Sequence, residues 1–177
     1  MKTSLLVLLI LLLACPAFCQ NKISFEPTLV NFVIKNAGLK VNGSFSGLEG
    51  FIILDAQNLS LLKIEGTIDP NTVNTGITLR DNHLKKGDYF NVKEFPKIVM
   101  VSTQIKKSST RKYVGNFDLT IKNSRKNVLI PFTFSAKGNT YKLEGEFSIN
   151  RLDFQLGESS IILSDTVKIM FEIISKK

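Results

Sequence analysis

The side chains best suited to chemistry lie in one polar stretch of the chain, residues 75–96. It contains the single histidine, His83, together with Arg80 and Asp81. A metal site built on one histidine would need carboxylate or backbone ligands around it, and a catalytic triad would need a nucleophile that no neighbouring residue supplies. The spacings H-x-E, H-x-H and C-x-x-C are absent from the stretch. We therefore predict that the protein is not an enzyme and holds no metal.

Two interpretations of this polar cluster remain. Arg80, Asp81 and His83 either tie the segment together through charge-assisted hydrogen bonds or recognise the polar head of a ligand. In the second case a guanidinium or imidazole would donate a hydrogen bond to a quinone ring, hydroxyl or phosphate, and Arg80 is the better candidate. Arg151 and Asp153 allow the same two interpretations, of which an internal ion pair is the simpler.

The first residues have the features of an export signal. Lys2 is followed by an almost unbroken apolar run at residues 5–14, and the small residues Ala17 and Cys19 stand at the expected cleavage site. The run of about ten apolar residues is shorter than the roughly 20 that span a bilayer. The sequence thus predicts a signal peptide at residues 1–19, cleaved near Cys19, and a periplasmic or secreted protein.

Both cysteines, Cys15 and Cys19, lie within this predicted signal. The mature domain, residues 20–177, is therefore expected to have neither a disulfide nor thiol chemistry. Acylation of Cys15, which would hold the domain at a membrane, is the alternative, although Pro16 directly after it argues against a lipoprotein signal. Residues 20–177 suffice for a single domain with a sizeable core or a hollow barrel.

From Leu29 onward, apolar and β-branched residues alternate with polar ones, a period typical of strands. Strands are predicted at residues 29–36, 41–54 with a bend at 47–50, 60–69, 97–106, 112–121, 126–136, 140–149 and 166–175. These eight strands, joined mostly by short hairpins, favour an all-β, eight-stranded antiparallel up-and-down barrel, because closure removes exposed edges. The break at about residues 71–93 is too long for a hairpin and predicts a short helical insertion over one mouth.

One face of several predicted strands is apolar. An eight-stranded barrel can be filled by its own side chains or can hold one small ligand, and the pattern alone leaves both open. Seven phenylalanines would either pack the core or line a cavity: Phe32, Phe45, Phe117, Phe132, Phe134, Phe147 and Phe171. Four small residues would leave room beside them: Gly43, Gly47, Gly115 and Gly145.

Several motifs resemble those of the YceI family of secreted lipid-binding barrels. The resemblance is densest in residues 75–96, with Thr75-Gly76, Arg80-Asp81-x-His83-Leu84, Tyr89-Phe90 and Phe95-Pro96. Further similar segments are VNGSF at residues 41–45, GNFDLTI at 115–121, FSINRLDF at 147–154 and LSDTVKI at 163–169. Almost the whole of residues 20–177 fits this pattern.

This resemblance implies a lipocalin-like barrel that holds a hydrophobic ligand, an isoprenoid lipid or quinone, and needs no other cofactor. Its expected ligand-binding residues are Phe32, Phe45, Met100, Phe117, Phe132, Phe134, Phe147, Phe171, Arg80 and His83. The alternative is a solid-cored surface-interaction or stress-response protein without a small ligand.

The net charge of +8 is spread over single lysines and pairs such as Lys85-Lys86. No basic stripe is interleaved with aromatic residues, so a nucleic-acid partner is not expected. The charge favours solubility and leaves open a transient contact with an anionic membrane surface. A homodimer also remains open.

Overall fold

The computed structural model of the protein describes residues 20–55 and 60–176. The predicted signal peptide, with Cys15 and the cleavage site, lies outside the described residues. Ten strands carry most of the fold: β1 (Gln20–Ser24), β2 (Val30–Asn36), β3 (Leu39–Phe45), β4 (Glu49–Asp55), β5 (Leu61–Ile68), β6 (Ile98–Ser109), β7 (Lys112–Ile121), β8 (Ser124–Lys137), β9 (Thr140–Asn150) and β10 (Leu163–Lys176). The other elements are helix α1 (Thr78–Leu84) and two 3-10 turns, Pro70–Thr72 and Arg151–Phe154.

All ten strands join one antiparallel sheet in the order β1-β4-β5-β6-β7-β8-β9-β10-β2-β3. The predicted all-β class is confirmed, and strands β4 to β10 follow the expected up-and-down order. The predicted count of eight strands is wrong. The first three strands also leave the simple meander, because β1 pairs with β4 whereas β2 and β3 extend the sheet beyond β10.

The two extra strands have separate physical causes. Residues 41–54, expected to form one bent strand, divide into β3 and β4 because Gly47 adopts a positive φ of 72° that extended backbone does not allow. β3 then pairs with β2, whereas β4 pairs with β1 and β5, so the two halves lie at different places in the sheet. β1 was missed because Gln20–Ser24 is short and mostly polar, with Ile23 as its one buried apolar side chain.

The sheet curls into a half-barrel whose two sides meet at the short link between β1 and β2. The Phe25 N–H donates to the Gly50 carbonyl of β4 at 2.9 Å, and the Glu26 N–H donates to the Ile174 carbonyl of β10 at 2.7 Å. Phe25 also forms a bridge with Ser175. One bent segment of chain therefore connects two strands that are far apart in the sheet order.

The segment between β5 and β6 covers one end of this half-barrel, as the sequence predicted. It contains the 3-10 turn Pro70–Thr72 and helix α1, followed by turns up to β6. Ser44 of β3 and Asn74 exchange two backbone hydrogen bonds of 2.8 and 2.9 Å, which fasten the segment to the edge of the sheet. None of the helices formed by the described residues has the length and apolarity needed to span a membrane.

We expect Gly50→Ala to destabilise the fold. A Cβ at Gly50 would lie 2.2 Å from the Glu65 carbonyl oxygen and 2.5 Å from the Phe25 ring, so β4 would have to move away from β5. Overpacking of this kind costs about 2 kcal/mol of the free energy of unfolding, which urea denaturation measures. Gly87→Ala is the matched control, because a Cβ there meets no atom within 4 Å. Equal stability of the two variants would contradict this prediction.

Candidate functional site

An apolar cavity of about 340 Å³ lies inside the curled sheet. Its volume falls in the range of about 300–1,000 Å³ that is usual for small-molecule sites. Side chains from β2, β3 and β5 to β10 form its wall, and the covering segment between β5 and β6 closes part of one end. The strand residues that line it are mainly apolar: Val30, Phe32, Ile34, Val41, Phe45, Ile64, Ile68, Ile98, Met100, Phe117, Leu119, Ile121, Ile130, Phe132, Leu143, Phe147, Ile149, Val167, Ile169, Phe171 and Ile173.

The interior is packed at one end and open at the other. Ile130 and Leu143 are each 1% exposed and form part of the packed floor. Val167, Ile169 and Phe171 face the same interior from β10 yet remain only half-buried, because they border the open space of the cavity. The open space therefore lies beside β10, whereas Leu119, Ile121 and Phe154 are packed beneath the covering segment.

Phenylalanine rings lying flat against the wall help to keep this space free. Phe32 of β2 pairs with Gly43 of β3, and Phe171 of β10 pairs with Gly145 of β9. A Cβ at Gly43 would lie 2.2 Å from Phe32 Cζ, and a Cβ at Gly145 would lie 2.6 Å from Phe171 Cζ. Three of the four glycines expected to leave room, Gly43, Gly115 and Gly145, are thus covered by phenylalanine rings, whereas Gly47 has only a Thr72 methyl group at 4.0 Å.

Nine of the ten predicted ligand-binding residues line this one cavity: Phe32, Phe45, Met100, Phe117, Phe132, Phe147, Phe171, Arg80 and His83. Phe134 does not line it. Its ring stacks on Tyr141 at 6.1 Å between centroids and meets Tyr113 edge-on, in the packed end of the interior. Contact of the nine with a ligand remains a prediction.

Arg80, Thr75 and Asp81 form a hydrogen-bonded chain at the mouth. Arg80 Nε donates to Thr75 Oγ1 at 2.7 Å, and Arg80 Nη2 donates to the Thr75 carbonyl at 2.8 Å. The Thr75 hydroxyl and N–H both donate to Asp81 Oδ1. The predicted tie is therefore present between Arg80 and Asp81, with Thr75 between the two charges, whereas His83 contacts Tyr89 through its ring. Three of the five guanidinium N–H groups of Arg80 have no partner among the described residues.

His83 stands at the rim of the cavity. Its ring meets Tyr89 edge-on with 5.1 Å between centroids, and both residues line the cavity. The Tyr89 ring lies over Gly157, where a Cβ would come within 2.9 Å of it, and the Gly157 N–H donates to the Asp88 carbonyl at 2.7 Å. The covering segment is thereby fastened to the loop after β9.

Arg151 is the most buried cation at this end, with 2% of its surface exposed. Its guanidinium donates to the carbonyls of Ser164 and Leu156 and to Asp165 Oδ1, at 3.1, 2.9 and 2.8 Å. The expected internal ion pair is present, but its carboxylate is Asp165 and not Asp153, which is exposed. β10 carries Asp165 to this position, and residue spacing alone had favoured the nearer acid.

Sequence reasoning missed other residues of the mouth. Tyr89 and Phe90 line the cavity and belong to the motif that was recognised, so the motif itself was the available signal. Asn36 and Leu163 line it because the end of β2 pairs with the start of β10. Leu163 opens the recognised segment LSDTVKI, whereas no motif marked Asn36.

The clearly shifted ionisable groups lie on the outer wall, away from the cavity. Arg125, hydrogen-bonded to Asp118, holds the pKa of that carboxyl below its ordinary value, with a smaller contribution from Asn127. Glu144 on the same strand and Glu172 on the neighbouring β10 raise the pKa of Lys142. Within residues 20–55 and 60–176, no three histidine, cysteine or acidic side chains come together as a metal site.

The fold and the cavity define a class of antiparallel β-proteins with an apolar interior open at one end. The family described as "YceI-like domain" matches residues 22–174. Protein YceI of Salmonella arizonae is 30% identical over 142 residues, which cover 74% of this chain and 72% of that protein. The chain therefore belongs to the family of YceI-like domains.

Other similar proteins match different shares of this chain. A UPF0312 protein of Staphylococcus aureus (strain USA300) is 45% identical over 83 residues, which span 47% of this chain and 46% of that protein. The crystal structure of BcnA from Burkholderia cenocepacia has a TM-score of 0.77 and 25% identity, covering 83% of this chain and 95% of that one. A polyisoprenoid-binding domain from Saccharophagus degradans has a TM-score of 0.70 and 15% identity, covering 87% and 97%. At 15% identity, this last comparison shows a shared fold.

We expect Arg151→Met to destabilise the protein by roughly 2–3 kcal/mol, because carbonyls and Asp165 would lose charge-assisted hydrogen bonds at a buried position. Urea denaturation measures the change. Arg125→Met is the control, since the side chain of Arg125 is 68% exposed and its pair with Asp118 lies at the surface. The role assigned to Arg151 would be wrong if both variants unfolded at the same urea concentration.

Proposed function

We propose that the protein binds an isoprenoid lipid of the polyprenol or isoprenoid-quinone type, with the hydrocarbon tail inside the cavity and the polar head at the mouth. The observation that most directly supports this proposal is the apolar cavity of about 340 Å³, whose polar side chains are confined to one end. Membership of the YceI-like family and the shared fold of the polyisoprenoid-binding domain from Saccharophagus degradans support this assignment.

The tail would be held mainly by removal of apolar surface from water. Burial contributes about 25 cal/mol per Å², or about 0.8 kcal/mol for each methylene. The rings of Phe32, Phe147 and Phe171 and the side chains of Ile169 and Met100 offer a continuous apolar surface for it. Affinity should therefore increase with chain length until the packed floor at Leu143 stops the tail.

The head would be a hydrogen-bond acceptor. Arg80 offers three N–H groups without partners among the described residues, and His83 stands beside it on α1. No aspartate or glutamate of residues 20–55 and 60–176 lines the cavity. A carbonyl, hydroxyl or phosphate oxygen therefore matches the mouth better than an ammonium group would.

A carrier or sequestering role in the periplasm or outside the cell fits the export signal predicted at residues 1–19. In this role the protein shields a water-insoluble chain and performs no catalytic step. A solid-cored protein acting through its outer surface would need a filled lumen, and the half-buried face of β10 opposes that alternative.

The direct test is extraction of the purified protein with organic solvent and mass spectrometry of the extract, followed by titration with a fluorescent polyprenol. We expect a bound isoprenoid lipid and saturable uptake.

Gly43→Ala should weaken uptake roughly tenfold, because the Phe32 ring must leave the wall and displace about two methylenes of the tail.

Gly87→Ala, which adds a Cβ in open space, serves as the control for this substitution. A clean extract together with the absence of saturable uptake would refute the proposal. Equal uptake by Gly43→Ala and Gly87→Ala would refute the location of the tail beside Phe32.

A second prediction concerns the head. Arg80→Leu should lower the affinity for a polyprenyl phosphate or isoprenoid quinone about tenfold or more, since charge-assisted hydrogen bonds are lost. A headless hydrocarbon such as squalene is the internal control, and its affinity should stay within about twofold because tail burial is unaffected. Equal losses for both ligands would indicate damage to the covering segment and contradict a head site at Arg80.

A further inference from the structure

Strongly exposed apolar side chains are concentrated around the mouth of the cavity. The described residues include seven such large side chains: Leu29, Leu39, Ile77, Leu79, Leu129, Ile161 and Ile162. Five of them, Leu39, Ile77, Leu79, Ile161 and Ile162, lie at the mouth and are called here the apolar rim. Single exposed apolar residues are common, but their gathering at one opening is not.

One part of the apolar rim lies where β2 turns into β3. Leu39 pairs with Asn36, which lines the cavity. The Ala37 N–H donates to the Ile162 carbonyl at 2.7 Å, so the loop with Ile161 and Ile162 is fastened to the tip of this hairpin. The residue that follows the loop, Leu163, lines the cavity.

The other part of the apolar rim belongs to α1. Leu79 is 82% exposed and precedes His83 by four residues, so the two share one face of the helix. His83 and Arg80 both line the cavity, which places Leu79 at its edge. Ile77, directly before the helix, is 52% exposed.

Unpaired cations accompany the apolar rim. Lys35 and Lys40 face each other across the β2–β3 pair, and Lys85 and Lys86 follow α1. None of these four lysines forms an ion pair with a described residue. Like charges paired across a hairpin are unfavourable by themselves, and an anionic surface would remove that cost.

We propose that the apolar rim and these four lysines dock the mouth onto a bilayer that contains anionic phospholipids. The proposal rests on the proposed function, because a lipid held in the cavity has to be taken from or returned to a membrane. Side chains projecting separately from three segments, with Ile161 fully exposed, can each enter the bilayer interface. A protein partner would instead require one contiguous, complementary patch.

The test is co-sedimentation of the purified protein with vesicles of phosphatidylglycerol and phosphatidylethanolamine. The double variant Ile161→Ser, Ile162→Ser should bind these vesicles about tenfold more weakly, since two apolar side chains are lost from the interface. Leu129→Ser is the matched control. Leu129 is 62% exposed on β8 and does not line the cavity, so its loss should leave vesicle binding unchanged.

The charges are tested in the same assay. Lys85→Gln and Lys86→Gln should each weaken binding to anionic vesicles about fivefold and should reduce its dependence on salt. Binding to phosphatidylcholine vesicles should not change with either substitution. Equal effects on both kinds of vesicle would overturn the role of the lysines.

A second measurement separates docking from lipid binding. Uptake of a water-soluble short-chain polyprenol added without vesicles should be the same for the unaltered protein and the Ile161→Ser, Ile162→Ser variant. Unchanged vesicle binding by that variant, or equal loss in Leu129→Ser, would overturn the docking proposal. If size-exclusion chromatography shows that the same variant dissociates a dimer, the apolar rim binds a second copy of this chain. That result would also overturn the docking proposal. Vesicle docking without any polyprenol uptake would instead reject the proposed function.

Discussion

The rest of the structure depends on a few backbone hydrogen bonds that hold the curl of the sheet. Phe25 and Glu26 donate to Gly50 and Ile174, and so join β4 to β10 through one bent segment. Antiparallel strands twist, and a twisted sheet with one apolar face buries that face by curling around it. The link is made by backbone groups and specifies where the two sides meet, while the Phe25 side chain in the same link lines the cavity.

An enclosed apolar space is normally filled, since proteins pack as densely as organic crystals. Here each of two glycines in the wall lets a phenyl ring of the neighbouring strand lie flat over it. Phe32 covers Gly43 in this way, and Phe171 covers Gly145. Rings that lie along the sheet contribute apolar surface without occupying the lumen. The unfilled space is therefore a consequence of particular cross-strand pairs and not of small residues alone.

The cavity becomes more polar from its floor to its mouth. The floor is apolar and packed, the wall is apolar and half-buried, and the mouth carries Arg80, His83 and the buried Arg151. Arg151 stabilises the frame of the mouth, since its guanidinium is occupied by backbone carbonyls and Asp165, whereas Arg80 keeps donors free. Arg151 and Arg80 thus have different roles at the same opening, because the donors of Arg151 are occupied by the protein and three donors of Arg80 are not occupied by any described residue.

The sequence by itself determined most of the strands, the apolar faces and the helical cover between β5 and β6, because the alternation of side chains and the turn residues act locally. Its motifs also identified the family, and the motifs and apolar strand faces together gave nine of the lining residues. Only the tertiary structure decided that residues 41–54 form two strands in different parts of the sheet, that Asp165 is the partner of Arg151, and that Phe134 packs away from the cavity. These facts depend on pairings between distant segments, and the register of a pairing is not encoded in either strand alone.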